Sequence, residues 1–392
     1  MTDELIRLEN VSKTYPGTSE PAVAELDLRI PKGDVLVLVG PSGCGKSTTL
    51  RLINRMIQPT GGRIIFDGED VTDVNADNLR RRMGYVIQQI GLFPHRTIAE
   101  NIGTVPNLLG WKSDRISTRT DELLDMVGMD PSVYRDRYPK ELSGGQAQRV
   151  GVARALSADP EVMLMDEPFG AIDPITRDHL QNEFLRLQGE LQKTIVFVTH
   201  DIDEAIKMGD RIAILRQQSQ IAQYDSPEAI LAQPANDFVS DFLGKGAIIK
   251  GLNLKRMSDI EPERIPTVRT DASLEDARRA MDESSQSWIV VLDELERPVR
   301  WIDQQAIDSD ASLEHSGHEV TAVAEPDDTL RDSLEMMLQS TASFACCIDD
   351  DGQYRGVVRI DDLTAFLAQM QQAERERRAD DSDYDATSVT IS

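Results

Sequence analysis

Uninterrupted apolar runs, each followed by glycine or polar residues, recur through the first 240 positions of the chain. Val35–Val39, residues 162–165 and Thr194–Thr199 are three of them. Such runs are typical of strands that are buried on both faces of a parallel sheet, whose ligands bind at the carboxyl ends of the strands. We therefore predict an α/β domain, with helices after two of the runs at residues 49–56 and 203–208.

A stretch without such runs, residues 97–138, has apolar residues at helical spacing and predicts a mostly helical subdomain. Glycines at positions 244 and 246 then break the helical pattern that precedes them. We place the domain boundaries accordingly, and we expect the charge-rich tail to be disordered. The predicted segments are a first domain at 1–242 with its helical subdomain at about 95–155, a linker at 243–258, a second region at 259–372 and the tail at 373–392.

The region after the linker contains a faint internal repeat with a constant offset of 56 residues. The matching positions are 271–274 with 327–330, Met281 with Met337, 287–288 with 343–344, and 292–293 with 348–349. In each copy a polar cap precedes a predicted helix, and an apolar strand, Trp288–Leu292 or Phe344–Ile348, ends in an acidic turn. A repeat of this length predicts two similar units that bury a shared face.

The chain is strongly acidic, with 42 basic and 68 acidic residues and a formal net charge of −26. Residues 1–240 carry −9 of that charge and the shorter remainder carries −17. This balance argues against nucleic acid as a partner, because phosphate backbones require a basic face. Adaptation of a whole proteome to a salty cytoplasm would produce the same acidity.

The chain shows no segment that predicts secretion or a membrane span. No apolar stretch approaches the roughly 20 residues that cross a bilayer, and residues 1–7 lack the basic leader and apolar core of a signal peptide. The three cysteines, of which Cys346 and Cys347 are adjacent, do not make a disulfide framework. We expect an intracellular subunit in a reducing compartment.

The run Val35–Val39 leads directly into a glycine-rich loop of the kind that binds nucleotide phosphates. Its residues are Gly40, Pro41, Ser42, Gly43, Cys44, Gly45, Lys46, Ser47 and Thr48. Glycines let the backbone curl so that its N–H groups point at the phosphates. Lys46 is expected to reach the β- and γ-phosphates, and the Ser47 hydroxyl is expected to bind Mg²⁺.

Two adjacent carboxylates, Asp166 and Glu167, follow another of the apolar runs. At the carboxyl end of a parallel strand, Asp166 is placed to hold the magnesium shell and Glu167 to accept a proton from the attacking water. An acidic pair by itself is usually solvated surface. Here the apolar strand and the upstream phosphate loop favour the functional interpretation.

A second phosphate-facing surface is predicted at Ser143, Gly144, Gly145 and Gln146. Adjacent glycines after a serine, at the start of a predicted helix over residues 146–158, expose backbone N–H groups and a helix N-terminus, which attract an anion. One subunit has no use for two such surfaces on a single nucleotide. We therefore expect this surface to face a nucleotide held by another copy of the chain.

These motifs in this order resemble the ATP-binding-cassette (ABC) family, whose subunits sandwich two ATP molecules head to tail. The resemblance implies a P-loop NTPase fold with a RecA-like core and a helical subdomain. It also implies ATP and Mg²⁺ as ligands, closure of a homodimer by ATP, and reopening of the dimer by hydrolysis.

The resemblance gives roles to four further residues. Gln88 matches the glutamine that senses the γ-phosphate and Mg²⁺ and reports to a membrane partner, with Gln89 as a competitor for that role. Asp173 matches the loop that crosses the dimer interface. His200 matches the switch histidine that contacts the γ-phosphate and orients water, with a structural hydrogen-bonding role as the alternative. Tyr15 matches the aromatic residue that stacks on adenine, with a turn residue as the alternative.

The repeat resembles a tandem pair of cystathionine-β-synthase-type (CBS) domains with an α+β fold, which we place at about 259–310 and 315–370. Together with residues 54–62 and 86–95, it resembles the ATP-binding subunits of importers for quaternary-amine osmoprotectants such as glycine betaine, choline, carnitine and proline betaine. The resemblance implies a peripheral location on the cytoplasmic face of the inner membrane, and as partners an integral-membrane permease and an extracytoplasmic substrate-binding protein. The alternatives are an importer for another solute, such as an amino acid, and a soluble cassette ATPase.

For two features, the resemblance leaves open whether the role is functional or purely structural. Residues 92, 93 and 108–111 either form part of a groove for a coupling helix of the permease or are core. The CBS pair either regulates transport, through ionic strength or a bound regulatory nucleotide, or serves as a dimerisation module. Gly356, expected to open space, and Asp362, expected to bind a ribose hydroxyl, have no equivalents in the first copy.

Overall fold

The structure is a computed structural model that describes residues 4–86, 91–170, 172–244, 250–284, 287–308, 313, 317–340, 342–366, 368, 369 and 372. The chain forms two compact units. The first comprises Met1–Ile230 and Pro234–Leu243, and the second comprises Leu231–Gln233 and Gly244–Ser392. Within the described ranges, no helix is both long enough and apolar enough to cross a membrane. The predicted tail, residues 373–392, lies outside them.

The part of the chain up to residue 243 contains both strands and helices. The strands are β1 (Glu4–Lys13), β2 (Val23–Pro31), β3 (Val35–Val39), β4 (Gly61–Phe66), β5 (Glu69–Asp70), β6 (Met83–Val86), β7 (Val162–Asp166), β8 (Thr194–Thr199), β9 (Arg211–Leu215) and β10 (Ile221–Asp225). The helices are α1 (Lys46–Ile53), α2 (Ala76–Arg80), α3 (Ile98–Ile102), α4 (Thr104–Leu108), α5 (Ser113–Met126), α6 (Pro131–Tyr134), α7 (Gly144–Leu156), α8 (Pro174–Leu191), α9 (Ile202–Met208), α10 (Pro227–Ala232) and α11 (Asp237–Leu243).

A six-stranded sheet in the order β10-β9-β3-β8-β7-β6 forms the centre of the first unit. Its strands pair in parallel except β10, which is antiparallel to β9. Every residue of β3, β7 and β8 is buried, which confirms the prediction of strands covered on both faces. A separate antiparallel sheet has the order β2-β1-β4-β5, and its Ile6 and Phe66 share one core with Leu36 and Leu38 of β3.

Two predicted helices begin earlier in the structure than the apolar pattern indicated. Helix α1 begins at Lys46, directly after Gly45 in a left-handed conformation with φ 112°. Helix α7 begins at Gly144, and Ser143 caps it. The Ser143 hydroxyl accepts a hydrogen bond from the backbone N–H of Gln146, and the Gln146 side chain accepts one from the backbone N–H of Ser143. This capping box satisfies N–H groups that have no partner within the helix, so helix formation there does not depend on residue propensity.

The second unit repeats one motif twice. Its strands are β11 (Thr267–Arg269), β12 (Trp288–Leu292), β13 (Pro298–Asp303), β14 (His318–Glu319), β15 (Val323–Ala324), β16 (Phe344–Ile348) and β17 (Tyr354–Arg359), and its helices are α12 (Leu274–Ser284), α13 (Gln304–Asp308) and α14 (Leu330–Gln339). Four pairs of elements begin 56 positions apart: β11 and β15, α12 and α14, β12 and β16, and β13 and β17. Both hairpins also break register at the same place, after Val291 in one and after Cys347 in the other. The predicted repeat is therefore present in the fold.

The two repeats bury a shared face, as the repeat predicted. Each has its own core, and a third core joins them. The third core contains Ile265, Val290, Phe344, Cys346 and Val357, with Trp288 and Trp301 packed against it. The rings of Trp288 and Phe344, which occupy equivalent positions, are stacked with centroids 4.2 Å apart.

The three cysteines are free, and all three are buried. Cys346 and Cys347 are neighbours on β16, so their side chains point to opposite faces of the sheet. Cys346 lies in the core that the repeats share, and Cys347 lies in the core of the second repeat. Burial raises the pKa of both thiols to about 12. Both are therefore protonated at neutral pH, and a protonated thiol is a poor nucleophile.

Gly356 lies against the chain's own backbone. The N–H and C=O groups of Val357 and Glu263 exchange two hydrogen bonds of 2.8 Å each. A Cβ atom at position 356 would lie 2.7 Å from the carbonyl oxygen of Glu263 and 2.9 Å from Cβ of Pro262. The room that the sequence suggested for a nucleotide is therefore filled by residues 262 and 263. The Asp362 carboxylate accepts a hydrogen bond of 2.8 Å from the backbone N–H of Arg359.

The substitution Gly356→Ala is expected to destabilise the second unit by about 2 kcal/mol. The added Cβ would meet the Glu263 backbone, and the φ of +154° at this position is strained for a residue with a side chain. Denaturant unfolding followed by the fluorescence of Trp288 and Trp301, in a Trp111→Phe background, measures the effect. As a control, Gly189→Ala adds a Cβ that meets nothing within 4 Å and should leave this transition within about 0.5 kcal/mol. An unchanged midpoint for Gly356→Ala would contradict the packing argument.

Candidate nucleotide-hydrolysis site

The order of the central sheet brings the predicted site residues to one edge. Strands β3, β8 and β7 are adjacent and parallel, so their carboxyl ends face the same way. The phosphate loop follows β3, His200 follows β8, and Glu167 follows β7. Residues from three distant parts of the sequence therefore meet at the edge where parallel sheets bind ligands.

The phosphate loop depends on two glycines that fit against neighbouring backbone. A Cβ atom on Gly40 would lie 2.4 Å from the carbonyl oxygen of Leu215 at the end of β9. A Cβ atom on Gly45 would lie 2.7 Å from the carbonyl oxygen of Ala22, in addition to requiring a φ of +112°. Ser42 and Gly43 are exposed at the tip of the loop, whereas Cys44 and Lys46 are buried. The loop is thus clamped at both ends and open at its tip.

Lys46 is held inside this loop. Its side chain is among the buried charged groups of the chain, and its ammonium donates hydrogen bonds of 2.7 Å to the carbonyl of Gly40 and 3.0 Å to that of Pro41. A buried ammonium requires oxygen partners to offset the loss of hydration. The two carbonyls supply them here, and phosphate oxygens have the same chemistry.

Ser47 and Asp166 make the second polar contact of the site. The Ser47 hydroxyl donates a hydrogen bond of 2.8 Å to the Asp166 carboxylate. Burial raises the pKa of Asp166, while this hydrogen bond and the nearby Arg51 and Lys46 side chains lower it. Nearby positive charge favours the ionised carboxylate, and a divalent cation beside the carboxylate would act in the same direction.

The donor set fits Mg²⁺ bound together with phosphates. Ser47 and Asp166 offer two oxygen donors of the hard type that Mg²⁺ prefers. In the part of the chain that the structure describes, no group of three or more His, Cys, Asp or Glu side chains forms a metal cage. Mg²⁺ typically uses one or two protein ligands and takes the rest from water and substrate phosphates, and this pair matches that pattern.

Glu167 and His200 lie side by side at the edge of the sheet. The distance from Nδ1 of His200 to Oε1 of Glu167 is 3.3 Å. The backbone of Glu167 has a φ of +46°, and its N–H donates to the carbonyl of Val198 in β8. The Glu167 side chain is 21% exposed and that of His200 is 59% exposed. The carboxylate therefore sits at the rim, open to water and beside an imidazole.

Ser219 supports the phosphate loop, and the sequence did not signal it. Its backbone N–H donates to the carbonyl of Cys44 at 2.7 Å, and its hydroxyl lies 3.0 Å from that of Thr49 in α1. Ser219 is fully buried and has a φ of +58°. A serine in a polar loop more than 170 residues downstream has no motif, so only the tertiary structure shows this contact.

The Ser143–Gln146 segment, hereafter the signature, faces outward at the start of α7. Ser143 and Gly144 are exposed. The hydrogen bonds described for these side chains join Ser143 to Gln146 and Gln146 to the hydroxyl of Tyr134. A Cβ atom on Gly145 would lie 3.0 Å from Cγ2 of Thr176, whereas one on Gly144 would meet nothing within 4 Å. Packing within the chain thus accounts for Gly145 and leaves the space beside Gly144 open.

The other predicted site residues lie in different environments. The Asp173 carboxylate caps α8 by accepting a hydrogen bond of 3.1 Å from the N–H of Thr176. The carbonyl of Tyr15 accepts a hydrogen bond from the Thr18 hydroxyl, as in a turn, while its ring is 36% exposed beneath the Lys13 ammonium. Gln88 and its competitor Gln89 lie outside the described residues.

Apolar side chains are exposed at Phe93, before α3, and at Leu108, the last residue of α4. Phe93 is 39% exposed and Leu108 is 78% exposed, so these two side chains do not form core. Trp111 is half-buried, and the Arg115 guanidinium lies 3.5 Å from its ring centroid. A surface pocket of about 310 Å³ is lined by Asn54, Met56, Arg80, Met83 and Tyr85.

Comparison with known proteins identifies two families. Residues 23–170 match the ABC transporter family, and residues 320–369 match the CBS domain. Among solved structures, the dimeric structure of MJ0796, a bacterial ABC transporter cassette, is 34% identical with a TM-score of 0.51, over 57% of this chain and 98% of that chain. The structure of cbiO1 from Clostridium perfringens, part of the ABC transporter complex cbiONQ, has a TM-score of 0.55 and 25% identity, over 64% of this chain and 98% of that chain.

Two curated relatives match nearly the whole chain. The osmoprotectant import ATP-binding protein OsmV of Salmonella typhimurium is 44% identical over 381 residues, which covers 96% of this chain and 98% of OsmV. The glycine betaine/carnitine/choline transport ATP-binding protein OpuCA of Bacillus subtilis is 45% identical over 359 residues, which covers 90% of this chain and 94% of OpuCA. The chain therefore belongs to the ATP-binding subunits of the ABC transporter family, in the group that contains the osmoprotectant import ATP-binding proteins.

Proposed function

We propose that this subunit hydrolyses ATP to energise import of a quaternary-amine osmoprotectant such as glycine betaine or choline. The observation that carries the ATPase part is the meeting of Lys46, Asp166, Glu167 and His200 at one sheet edge. The substrate class rests on the relatives, which include transport ATP-binding proteins for glycine betaine, carnitine and choline. The subunit works at the cytoplasmic face of the inner membrane with a permease and an extracytoplasmic substrate-binding protein.

Each residue of the site has its own role in hydrolysis. The backbone N–H groups from Gly40 to Thr48 and the Lys46 ammonium bind the phosphates of ATP. Ser47 and Asp166, together with Gln88, would hold Mg²⁺, which neutralises charge on the phosphates. Glu167, at the rim of the site, accepts a proton from the attacking water. His200, 3.3 Å from Glu167, orients that water and contacts the γ-phosphate.

The second nucleotide surface belongs to a homodimer. Ser143 and Gly144 point outward, and the missing side chain of Gly144 serves no packing purpose within one chain. A phosphate of a nucleotide bound to another copy would use that open space together with the N-terminus of α7. Asp173, exposed at the start of α8, lies in the loop that we assign to the dimer interface. Tyr15, with an exposed ring, stacks on adenine.

The exposed apolar side chains of Phe93 and Leu108 support a membrane partner. Phe93 follows Gln88 by five residues in the sequence, and Gln88 is the residue to which we assign the sensing of the nucleotide. A permease that docks on this surface would bury them, and burial of apolar area is the main favourable term in association. The soluble class of cassette ATPase has no such need for this surface.

The C-terminal pair of repeats regulates transport, either by responding to ionic strength or by binding a regulatory nucleotide. The second unit carries the larger share of the net negative charge. Repulsion among like charges weakens as salt screens it over about 8 Å at physiological ionic strength. A charge-rich unit attached to the ATPase can therefore respond to ionic strength.

Glu167→Gln is expected to lower ATP hydrolysis by about 100-fold or more, because glutamine cannot accept the proton. ATP binding should persist, so the variant should accumulate as an ATP-bound dimer in size-exclusion chromatography with light scattering. Adding Ser143→Arg should abolish that dimer. Glu161→Gln, in an exposed pair with Arg82, is the matched control and should hydrolyse ATP within about twofold of the parent rate. Normal hydrolysis by Glu167→Gln would show that the base is another residue.

The substrate class is tested in cells that lack the gene. Uptake of labelled glycine betaine and choline at high osmolarity should fall to background, and uptake of labelled glutamine should be unchanged. The parent gene should restore uptake and Lys46→Ala should not, because the ammonium is required for ATP binding. Loss of glutamine uptake with normal quaternary-amine uptake would point to an amino-acid importer. Unchanged uptake of every solute would point to a soluble ATPase.

Deleting residues 255–392 tests the regulatory role. The full chain should support uptake that rises across a salt series, and the truncated chain should support uptake at a level that no longer follows salt. Deletion of residues 373–392 alone is the control and should leave the salt response intact. Undiminished salt activation without residues 255–392 would remove the sensor hypothesis and leave dimerisation as the role of the repeats.

A further inference from the structure

Glu204 is a buried carboxylate next to the hydrolysis site that the mechanism above does not use. It lies in the first turn of α9, and only 8% of the residue is exposed. A buried carboxylate is costly unless hydrogen-bond donors satisfy it. Burial raises the pKa of Glu204, and hydrogen bonds from Thr199 and Gln181 oppose that effect.

The two donors come from two different elements, strand β8 and helix α8. The Thr199 hydroxyl, at the last residue of β8, donates to Oε2 of Glu204. Oε1 of Glu204 accepts a hydrogen bond of 2.9 Å from the side-chain amide of Gln181 in α8. Thr199 and Gln181 are both buried. Glu204 thus joins strand β8 to helix α8 through largely buried hydrogen bonds.

The contact with Thr199 fixes the backbone that carries His200. The Thr199 hydroxyl accepts a hydrogen bond of 3.1 Å from the N–H of Asp201, while it donates to Glu204. The Asp201 carboxylate in turn caps α9 by accepting from the N–H groups of Asp203 and Glu204. His200 stands between two residues that this network holds, so its approach to Glu167 depends on Glu204.

The contact with Gln181 extends the network toward the dimer loop. Gln181 lies eight residues after Asp173, which is about 12 Å along a helix. On the same face, one turn before Gln181, the Arg177 guanidinium lowers the pKa of Glu204 and donates a hydrogen bond of 2.9 Å to the carbonyl of Ile172. Helix α8 is therefore tied at one end to Asp173 and Ile172, and near its middle to the strand that ends at His200.

We propose that Glu204 is a positioning residue that holds His200 next to Glu167. Through its contact with α8, it also couples this arrangement to the position of the Asp173 loop. The proposal rests on the role of His200 in hydrolysis given above. Its loss should lower the rate of the chemical step and leave ATP affinity almost unchanged, because the hydrogen bonds described for the Glu204 carboxylate come from Thr199 and Gln181 and not from the phosphate loop.

The test compares two substitutions at one position. Glu204→Ala should lower kcat for ATP hydrolysis by about 10-fold or more, since small misplacement of a reacting group is costly, with the Kd for a fluorescent ATP analogue within about twofold. Glu204→Gln should retain most of the activity. Its carbonyl can accept from Thr199, and its amide can donate to a flipped Gln181, so both contacts survive. Thr199→Val, which removes the hydroxyl at similar volume, should behave like Glu204→Ala.

A double-mutant cycle with His200→Ala separates positioning from general damage. If Glu204 acts through His200, then Glu204→Ala should cost less than about twofold in a His200→Ala background. The same loss in both backgrounds, or a normal rate for Glu204→Ala, would overturn the proposal. Normal hydrolysis by His200→Ala alone would instead show that the role assigned to His200 is wrong, so the two failures are distinguishable. Should Glu204→Ala not fold, Thr199→Val carries the same cycle.

Discussion

The parallel pairing of β3, β8 and β7 is the constraint on which the site depends. Neighbouring strands lie about 4.8 Å apart, so the ends of these three strands fall within about 10 Å of each other. Hydrogen bonds in continuous register hold that spacing, and close packing of the buried side chains on both faces opposes sliding of a strand. Residues that are up to 160 positions apart in the sequence therefore keep fixed positions, which loops alone would not provide.

The phosphate loop and the signature differ in whether packing within one chain explains their glycines. Gly40 and Gly45 fit against backbone atoms of the same chain, so a single copy explains why no side chain is present. Gly144 has no such explanation, and Ser143 turns its capped helix end toward solvent. The open space beside Gly144 is compatible with our assignment of the signature to a nucleotide held by another copy of the chain.

The sequence predicted the parts of the fold and site that depend on local pattern. Apolar runs located β3, β7 and β8, and the offset of 56 located the paired motifs of the second unit, because periodicity and burial are readable along the chain. Ser219 and Glu204 were missed because their roles arise from contacts across 170 and 23 residues with no motif. Gly356 was interpreted as space for a ligand, and the structure fills that space with Glu263. A glycine in the sequence does not show whether backbone, a ligand or solvent lies beside it.

The burial of Cys346 and Cys347 in different cores has a practical consequence. Neighbours on a strand point to opposite faces, so the two sulfurs cannot bond to each other while β16 stays paired. Each thiol becomes accessible to reagent only when its own layer opens, and local opening follows the free energy of that layer. Cys44 belongs to the phosphate loop, and its side chain is buried in a core of the first unit. The alkylation rates of the three cysteines, followed separately by mass spectrometry, therefore report the opening of three different parts of the natural chain.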